Sequence, residues 1–223
     1  MENYIQYNVV KLGGKIVTDL EYSHEVFDEK FYKFSLEIKR LSDQTDILPI
    51  IISEKLIDDE FAVNKKCVVD GQYRSYNLIE NEKSKLILSV FTRNIEYTED
   101  DIDQLNEIYL EGFICKKPIY RKTPLGREIS DILIAVNRTY KKSDYIPCIL
   151  WGRNAKFSET VEVGSRVKLI GRIQSRVYEK NIEGNIIKHV AYEISVSKFG
   201  LVEENKDIET NDRTDKKYSE GVE

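Results

Sequence analysis

The chain has 223 residues, 41% of them hydrophobic and 33% charged, so it can bury a core and still dissolve. It has no run near the roughly 18 apolar residues of a membrane helix and no basic-then-apolar leader after Met1; its three scattered cysteines (Cys67, Cys115, Cys148) and two distant histidines (His24, His189) fit neither a disulfide framework nor a metal site, so a secreted, membrane or metal-dependent protein is disfavoured. The net charge of −5 is unevenly laid out: residues 1–100 carry −6, residues 101–200 carry +5 and residues 201–223 carry −4, which suggests a local polyanion site in the middle block.

Taken in chain order, the first segment to repeat is Gly14-Lys15-Ile16, which returns 98 residues later as Gly112-Phe113-Ile114. Next, Phe34, Leu36 and Ile38 alternate with Lys33, Ser35, Glu37 and Lys39, the pattern of a half-buried strand. Ile132, Ile134 and Val136 repeat that phase, and Arg138 answers Arg40. Asp46-Ile47-Leu48-Pro49 then matches Asp144-Tyr145-Ile146-Pro147, in short apolar runs whose proline marks an edge or a bulge. A helical stretch follows, clearest over 154–161, where Phe157 and Val161 are four apart. After a two-residue insertion, Gly71 and Ser75 match Gly171 and Ser175 in a further strand, and Gly184-Asn185 turns the second copy into its last one. The order strand, strand, strand, helix, strand, strand predicts an all-β chain with one short helix per copy. It is the order of two tandem OB-folds, five-stranded Greek-key barrels. Copy one spans 1–98, an acidic linker 99–106 and copy two 107–201; residues 202–223, almost without apolar content, read as a disordered acidic tail.

Copy two sets aromatic residues among bases and outside the apolar phase. Tyr140 lies between Arg138 and Lys141-Lys142, Tyr145 opens a strand that Trp151 ends beside Gly152-Arg153, and Tyr178 follows Arg172 and Arg176. An exposed ring beside Arg or Lys offers a base a stacking surface while the cation meets phosphate. The phosphate candidates are Arg121, Lys122, Arg138, Lys141, Lys142, Arg153, Arg172 and Arg176. The counterparts of the four rings in copy one are Ser42, Ile47, Ser53 and Leu78; its remaining exposed candidates, Tyr73, Arg74 and Tyr76, could make a partial surface, but two tyrosines on a strand read first as packing or an interface. Copy one is therefore expected to fold but to serve assembly or partner contact.

Three stretches of copy two resemble the bacterial single-stranded DNA-binding protein family. They are Ile132-Leu133-Ile134-Ala135-Val136-Asn137-Arg138, the run Tyr145-Ile146-Pro147-Cys148-Ile149-Leu150-Trp151-Gly152-Arg153, and residues 163–176 from Val163-Gly164-Ser165-Arg166 to Gln174-Ser175-Arg176. The resemblance implies that Tyr140, Tyr145, Trp151 and Tyr178 stack with bases of single-stranded DNA, without strict sequence preference, in replication, recombination or repair. It also implies a homodimer giving four barrels, replication or repair enzymes as further partners, a cytoplasmic, nucleoid-associated location, and no cofactor. Two departures stand out: the acidic tail ends Ser219-Glu220-Gly221-Val222-Glu223 without an aromatic tip, and copy one lacks the four rings.

Two other readings stay open: an accessory protein-interaction module associated with a primosome or recombinase, and a single-stranded RNA-binding OB protein, since nothing in the sequence separates RNA from DNA. No enzyme is expected. Gly13-Gly14-Lys15 lacks the earlier Gly and following Ser/Thr of a phosphate loop, and Asp58-Asp59-Glu60 reads as a solvated face.

Overall fold

Each barrel grows from the alternation read in the sequence. The first comprises β1 (Asn8–Ile16), β2 (Glu21–Val26), β3 (Glu29–Lys39), β4 (Thr45–Ser53), β5 (Lys66–Glu80) and β6 (Lys83–Thr98); the second comprises β7 (Asn106–Ile114), β8 (Ile119–Lys122), β9 (Glu128–Asn137), β10 (Ser143–Trp151), β11 (Arg166–Ile182) and β12 (Asn185–Leu201). These are the elements of a computed structural model that describes residues 7–42, 44–80, 83–102, 104–138, 142–182 and 185–202, so the expected tail over 203–223 lies outside it. The rings run β1-β3-β4-β6-β5 and β7-β9-β10-β12-β11, with β2 and β8 paired only to β3 and β9. The chain is thus two tandem OB-folds. Phe34, Leu36 and Ile38, and Ile132, Ile134 and Val136, are all buried on the inner faces. Each ring closes through a short parallel contact, Ile50–Ile51 on Val90–Phe91 and Cys148–Ile149 on Ile194–Ser195. Pro49 and Pro147 stand just before these contacts, where the strand has only one neighbour and a missing N–H costs least.

Two glycine pairs make closure feasible. A Cβ on Gly14 would lie 2.3 Å from the Glu37 carbonyl oxygen, and one on Gly112 2.3 Å from that of Ala135, so any side chain would push β1 off β3 or β7 off β9. Gly71 and Gly171 sit at matching bulges, with the Phe91 and Ser195 carbonyls 2.4 and 2.5 Å from their would-be Cβ atoms.

The helical stretches depart from expectation. Copy one has only a 3₁₀ turn at Glu54–Leu56, started by Ser53, whose Oγ accepts from the Lys55 N–H. In copy two, α1 (Arg153–Ser158) ends before Val161. Past Ser158 the chain tightens into i→i+3 turns, with Glu159 N–H to the Lys156 carbonyl, Thr160 N–H to that of Phe157 and Val161 N–H to that of Ser158, while the Ser158 and Thr160 hydroxyls bond back to the Ala155 and Phe157 carbonyls. Phe157 consequently turns to Phe199, while Val161 is buried separately.

The two barrels are joined by antiparallel pairing of β1 with β7, centred on Val10 opposite Ile108 and flanked by Asn8–Leu110 and Leu12–Asn106. Val10 and Ile108 are repeat counterparts, so a pseudo-two-fold axis passes between them. Two further backbone bonds obey it: Gly13 N–H to the Leu105 carbonyl at 2.7 Å and Glu111 N–H to the Tyr7 carbonyl at 2.8 Å. So do two amide brackets. Asn8 exchanges bonds of 2.7 and 2.8 Å with the Tyr73 backbone, and Asn106 bonds of 2.8 and 2.9 Å with that of Ile173.

A reciprocal pair of clasps completes the joint. Asp46, fully buried in copy one, accepts from Arg40 and from Ser175 N–H and Oγ of copy two at 2.7 and 3.0 Å, while Arg40 Nη2 donates to the Ser175 carbonyl at 3.0 Å. On the other side, buried Asp144 accepts from Arg138 and from Ser75 N–H, and Arg138 Nη2 donates to the Ser75 carbonyl at 2.9 Å. Burial by itself would raise the Asp46 carboxyl; hydrogen bonds from Arg40 and Ser175 outweigh it and hold the group below its usual range. Burial also accounts for the thiols: Cys67 is pushed up to about 12 and Cys148 is raised as well, so both stay protonated core groups.

Arg40→Met and Arg138→Met should each lower the unfolding free energy by about 3 kcal/mol in urea, because each leaves a buried carboxylate without its cation. Because the folded carboxyl is depressed, the Asp46 contribution is complete above its ordinary value of 3.8 and is lost as pH falls through the depressed one. Urea midpoints measured against pH should therefore decline on the acid side, and Asp46→Ala should flatten that decline.

Candidate nucleic-acid interface

Outer-face residues of β10, β11 and β12 form one surface. On β11, Arg172, Gln174, Arg176 and Tyr178 recur every second residue, and their partners on β12 are Ser195, Glu193, Ala191 and His189. On β10, Tyr145 and Trp151 point the same way, six residues or about 20 Å apart. Tyr145 is 45% exposed, Trp151 37% and Tyr178 40%, values that place all three rings at the surface and outside the core.

Trp151 occupies the centre. Its indole N–H donates to Ser195 Oγ at 3.1 Å, which fixes the ring against β12. A hollow on one side is lined by Arg153, Asn154, Phe157 and Phe199; a second, on the other side, by Arg40, Arg127, Arg172, Gln174 and Arg176. Phe157 and Phe199 meet edge to face at 6.0 Å. Further along, Tyr178 stacks on His189 with centroids 5.5 Å apart, and the Arg176 guanidinium lies 5.7 Å from the Tyr178 centroid. Burial and the nearby Arg40 push Arg172 below its ordinary value, although Asp46 pulls the other way. The second hollow therefore crowds guanidinium charge, a condition that an anion relieves.

The other candidates divide by what already holds them. Arg172 stands 3.8 Å from Asp46 and Arg176 3.7 Å from Glu193, loose partners that leave both accessible. Arg121 pairs with Asp131 at 2.9 Å and Lys122 with Glu128 at 3.9 Å on the exposed β8–β9 hairpin, contacts that water weakens. Arg153 and Lys142 are exposed, without a carboxylate partner among the described residues. Arg138 is corrected: its Nε and Nη2 are committed to Asp144 and the Ser75 carbonyl, so it belongs to the barrel joint instead of the phosphate set. Tyr140 and Lys141 lie outside the described residues.

Sequence reasoning missed Arg127 and Phe199, which line the two hollows; Arg40 also lines the second, although its Nε and Nη2, like those of Arg138, are committed to the joint. Arg40 belongs to the acidic copy, and only the joint carries it to the rim of the other barrel. In copy one, Ile47 and Leu78 are exposed, Ser53 is buried, and Tyr73 is a fully buried core residue with Cys148, Tyr192 and Glu193 of copy two around it. Among the described residues no group of three or more His, Cys, Asp or Glu is placed to hold a metal ion.

Comparison with known proteins agrees with this architecture. The wild-type single-stranded DNA binding protein from Thermus aquaticus superposes with a TM-score of 0.74 over 93% of this chain and 98% of that one, at 14% identity, which speaks for a shared fold. Single-stranded DNA-binding protein B of Bacillus subtilis (strain 168) is 37% identical over 86 residues, 35% of this chain and 75% of the relative. Single-stranded DNA-binding protein 1 of Staphylococcus aureus (strain COL) is 38% identical over 87 residues, 36% of this chain, and the chain spans only about half (52%) of that relative. The model of the single-strand binding protein family matches residues 105–202, the whole of the second barrel. By its sequence, the chain belongs to the single-strand binding protein family.

Proposed function

We propose that the chain binds single-stranded DNA with little sequence preference, mainly through copy two, in replication, recombination or repair. The observation that carries this reading is Trp151, exposed between one hollow lined by Arg153 and aromatic rings and another lined by Arg40, Arg127, Arg172 and Arg176. Bases stack on Trp151, Tyr145 and Tyr178, and on Tyr140; the phosphates follow Arg172, Arg176, Arg153, Lys142 and Lys141, with Arg121 and Lys122 at the outer edge. Stacking accepts any base, because every base has a flat face.

Copy one assists by assembly. The long hairpins leave Tyr76 and Ile79 of β5 and Val177 and Val190 of β11 and β12 exposed, apolar groups that fit a second copy across a two-fold axis. The assembled particle is then a homodimer of four barrels. Light scattering at micromolar concentration should return twice the chain mass, and a monomer would reject this assembly.

Trp151 is the only tryptophan, so its fluorescence reports the site alone. Addition of oligo-dT should quench it, and Trp151→Ala should weaken binding by about 1–3 kcal/mol, the usual worth of one stacked base. Unchanged affinity in a folded variant would remove Trp151 from the interface. With four to six phosphates engaged, log K should fall with log salt at a slope of roughly −3 to −4, about 0.7 per phosphate. Arg138→Met should leave that slope unchanged while lowering stability.

A further inference from the structure

The acidic copy carries a face that its net charge conceals. The two parallel contacts set the correspondence: Ile51 beside Phe91 in copy one matches Ile149 beside Ser195 in copy two. Phe91 on β6 therefore takes the place of Ser195 on β12, while Ser53 on β4 takes the place of Trp151 on β10. Ring and hydroxyl have exchanged strands. A residue-by-residue alignment finds serine where the indole stands and records a lost stacking position, although an aromatic ring persists on the same patch of the barrel.

The charge around that ring has also been rearranged. The Arg74 guanidinium lies 3.8 Å over the Phe91 centroid and that of Arg93 5.9 Å from it. Both donate to the neutral Gln72 Oε1, at 3.0 and 3.1 Å. Arg74 Nε is buried without a hydrogen-bond partner. Burial, then the charges of Arg138 and Arg93, push Arg74 down to about 10, opposed only by Asp144, which Arg138 already holds. In copy two the equivalent of Arg74 is Gln174, bonded to Glu193 at 2.9 Å, and Ser89 replaces that glutamate in copy one. Gln72 and Tyr76 stand where copy two has Arg172 and Arg176, so the face has moved its guanidinium groups to Arg74 and Arg93, beside the ring, and has exchanged the glutamate for serine. An unpaired buried N–H in such a cluster calls for an anionic acceptor, and the adjoining ring calls for one that brings a flat group.

We infer that the β5–β6 face of copy one is a second subsite for the nucleic-acid strand, where Phe91 meets a base and Arg74 and Arg93 meet its phosphate. This rests on the proposed binding of single-stranded DNA by copy two. Arg74 moves from the Phe91 ring to the phosphate, and the base takes its place on the ring. Copy one then contributes to occupancy of long strands, and short ones fill copy two alone.

The test uses the full chain and oligo-dT. In Trp151→Phe/Phe91→Trp the single indole sits at position 91, and dT long enough to span both barrels should quench it. In the wild-type background, Arg74→Gln/Arg93→Gln should weaken long dT about tenfold, within the range of one lost base contact. It should also lower the salt slope by about 0.7 per phosphate, with short dT unaffected. Phe91→Leu, which keeps the site filled, should weaken long dT without changing the salt slope. Quenching of Trp151 in the wild type with none at position 91, or unchanged long-dT affinity in Arg74→Gln/Arg93→Gln, would overturn the second subsite and leave the copy-two reading standing. Absence of dT binding by the wild type would overturn both.

Discussion

The antiparallel meeting of β1 and β7 around Val10 and Ile108 turns two barrels into one twelve-stranded sheet, and most other groups take their places from it. It consumes an edge on each barrel that would otherwise template unwanted pairing. It fixes the distance from Arg40 and Asp46 to the Ser175 backbone, and from Arg138 and Asp144 to that of Ser75. It also brings Arg40 of the acidic barrel to the rim of the basic one's groove. Mutations that loosen the joint therefore disturb the proposed DNA surface without touching it.

The barrels were legible because their physics is local and repeated. Alternation at 34–38 and 132–136, proline in the same strand of each copy and glycine at each close approach are patterns that one period reveals. The joint was legible too, but its signal was misassigned. Arg40, Asp46 and Ser75 match Arg138, Asp144 and Ser175, and a polar trio kept by copies of opposite charge marks a shared structural contact. Arg138, taken by itself beside Tyr140, looks like a phosphate ligand instead. The exchange between Ser53 and Phe91 stayed hidden because β4 and β6 are about forty residues apart in sequence, and only the barrel's closure sets them side by side. The helix length differs for a smaller reason: after Ser158 the backbone tightens into i→i+3 turns, so Phe157 and Val161, four apart, do not share one α-helical face.

Net charge was a coarse guide. The −6 of residues 1–100 is a sum over every face of the copy, and pairs such as Glu37 with Lys15 and Glu99 with Lys65 cancel within it. What a polyanion meets at close range is screened beyond about 10 Å. Beside the Phe91 ring stand Arg74 and Arg93, both bonded to a neutral glutamine. Local composition of a face, and not the sum over a copy, decides where a strand is attracted.

The pseudo-two-fold axis has a consequence for the direction of a bound strand. A path crossing the axis at a right angle maps onto itself reversed, so a strand passing straight from one face to the other runs 5′ to 3′ over the first and, in that face's own frame, 3′ to 5′ over the second. Only a looped path presents both with the same sense. A groove that reads polarity through oriented hydrogen bonds would suit one half of a straight strand and fail the other. Flat rings and guanidinium groups are indifferent to heading, and the divergence of the two faces, indole on one strand and phenyl on another, lets each be fitted separately to the direction in which it meets the chain.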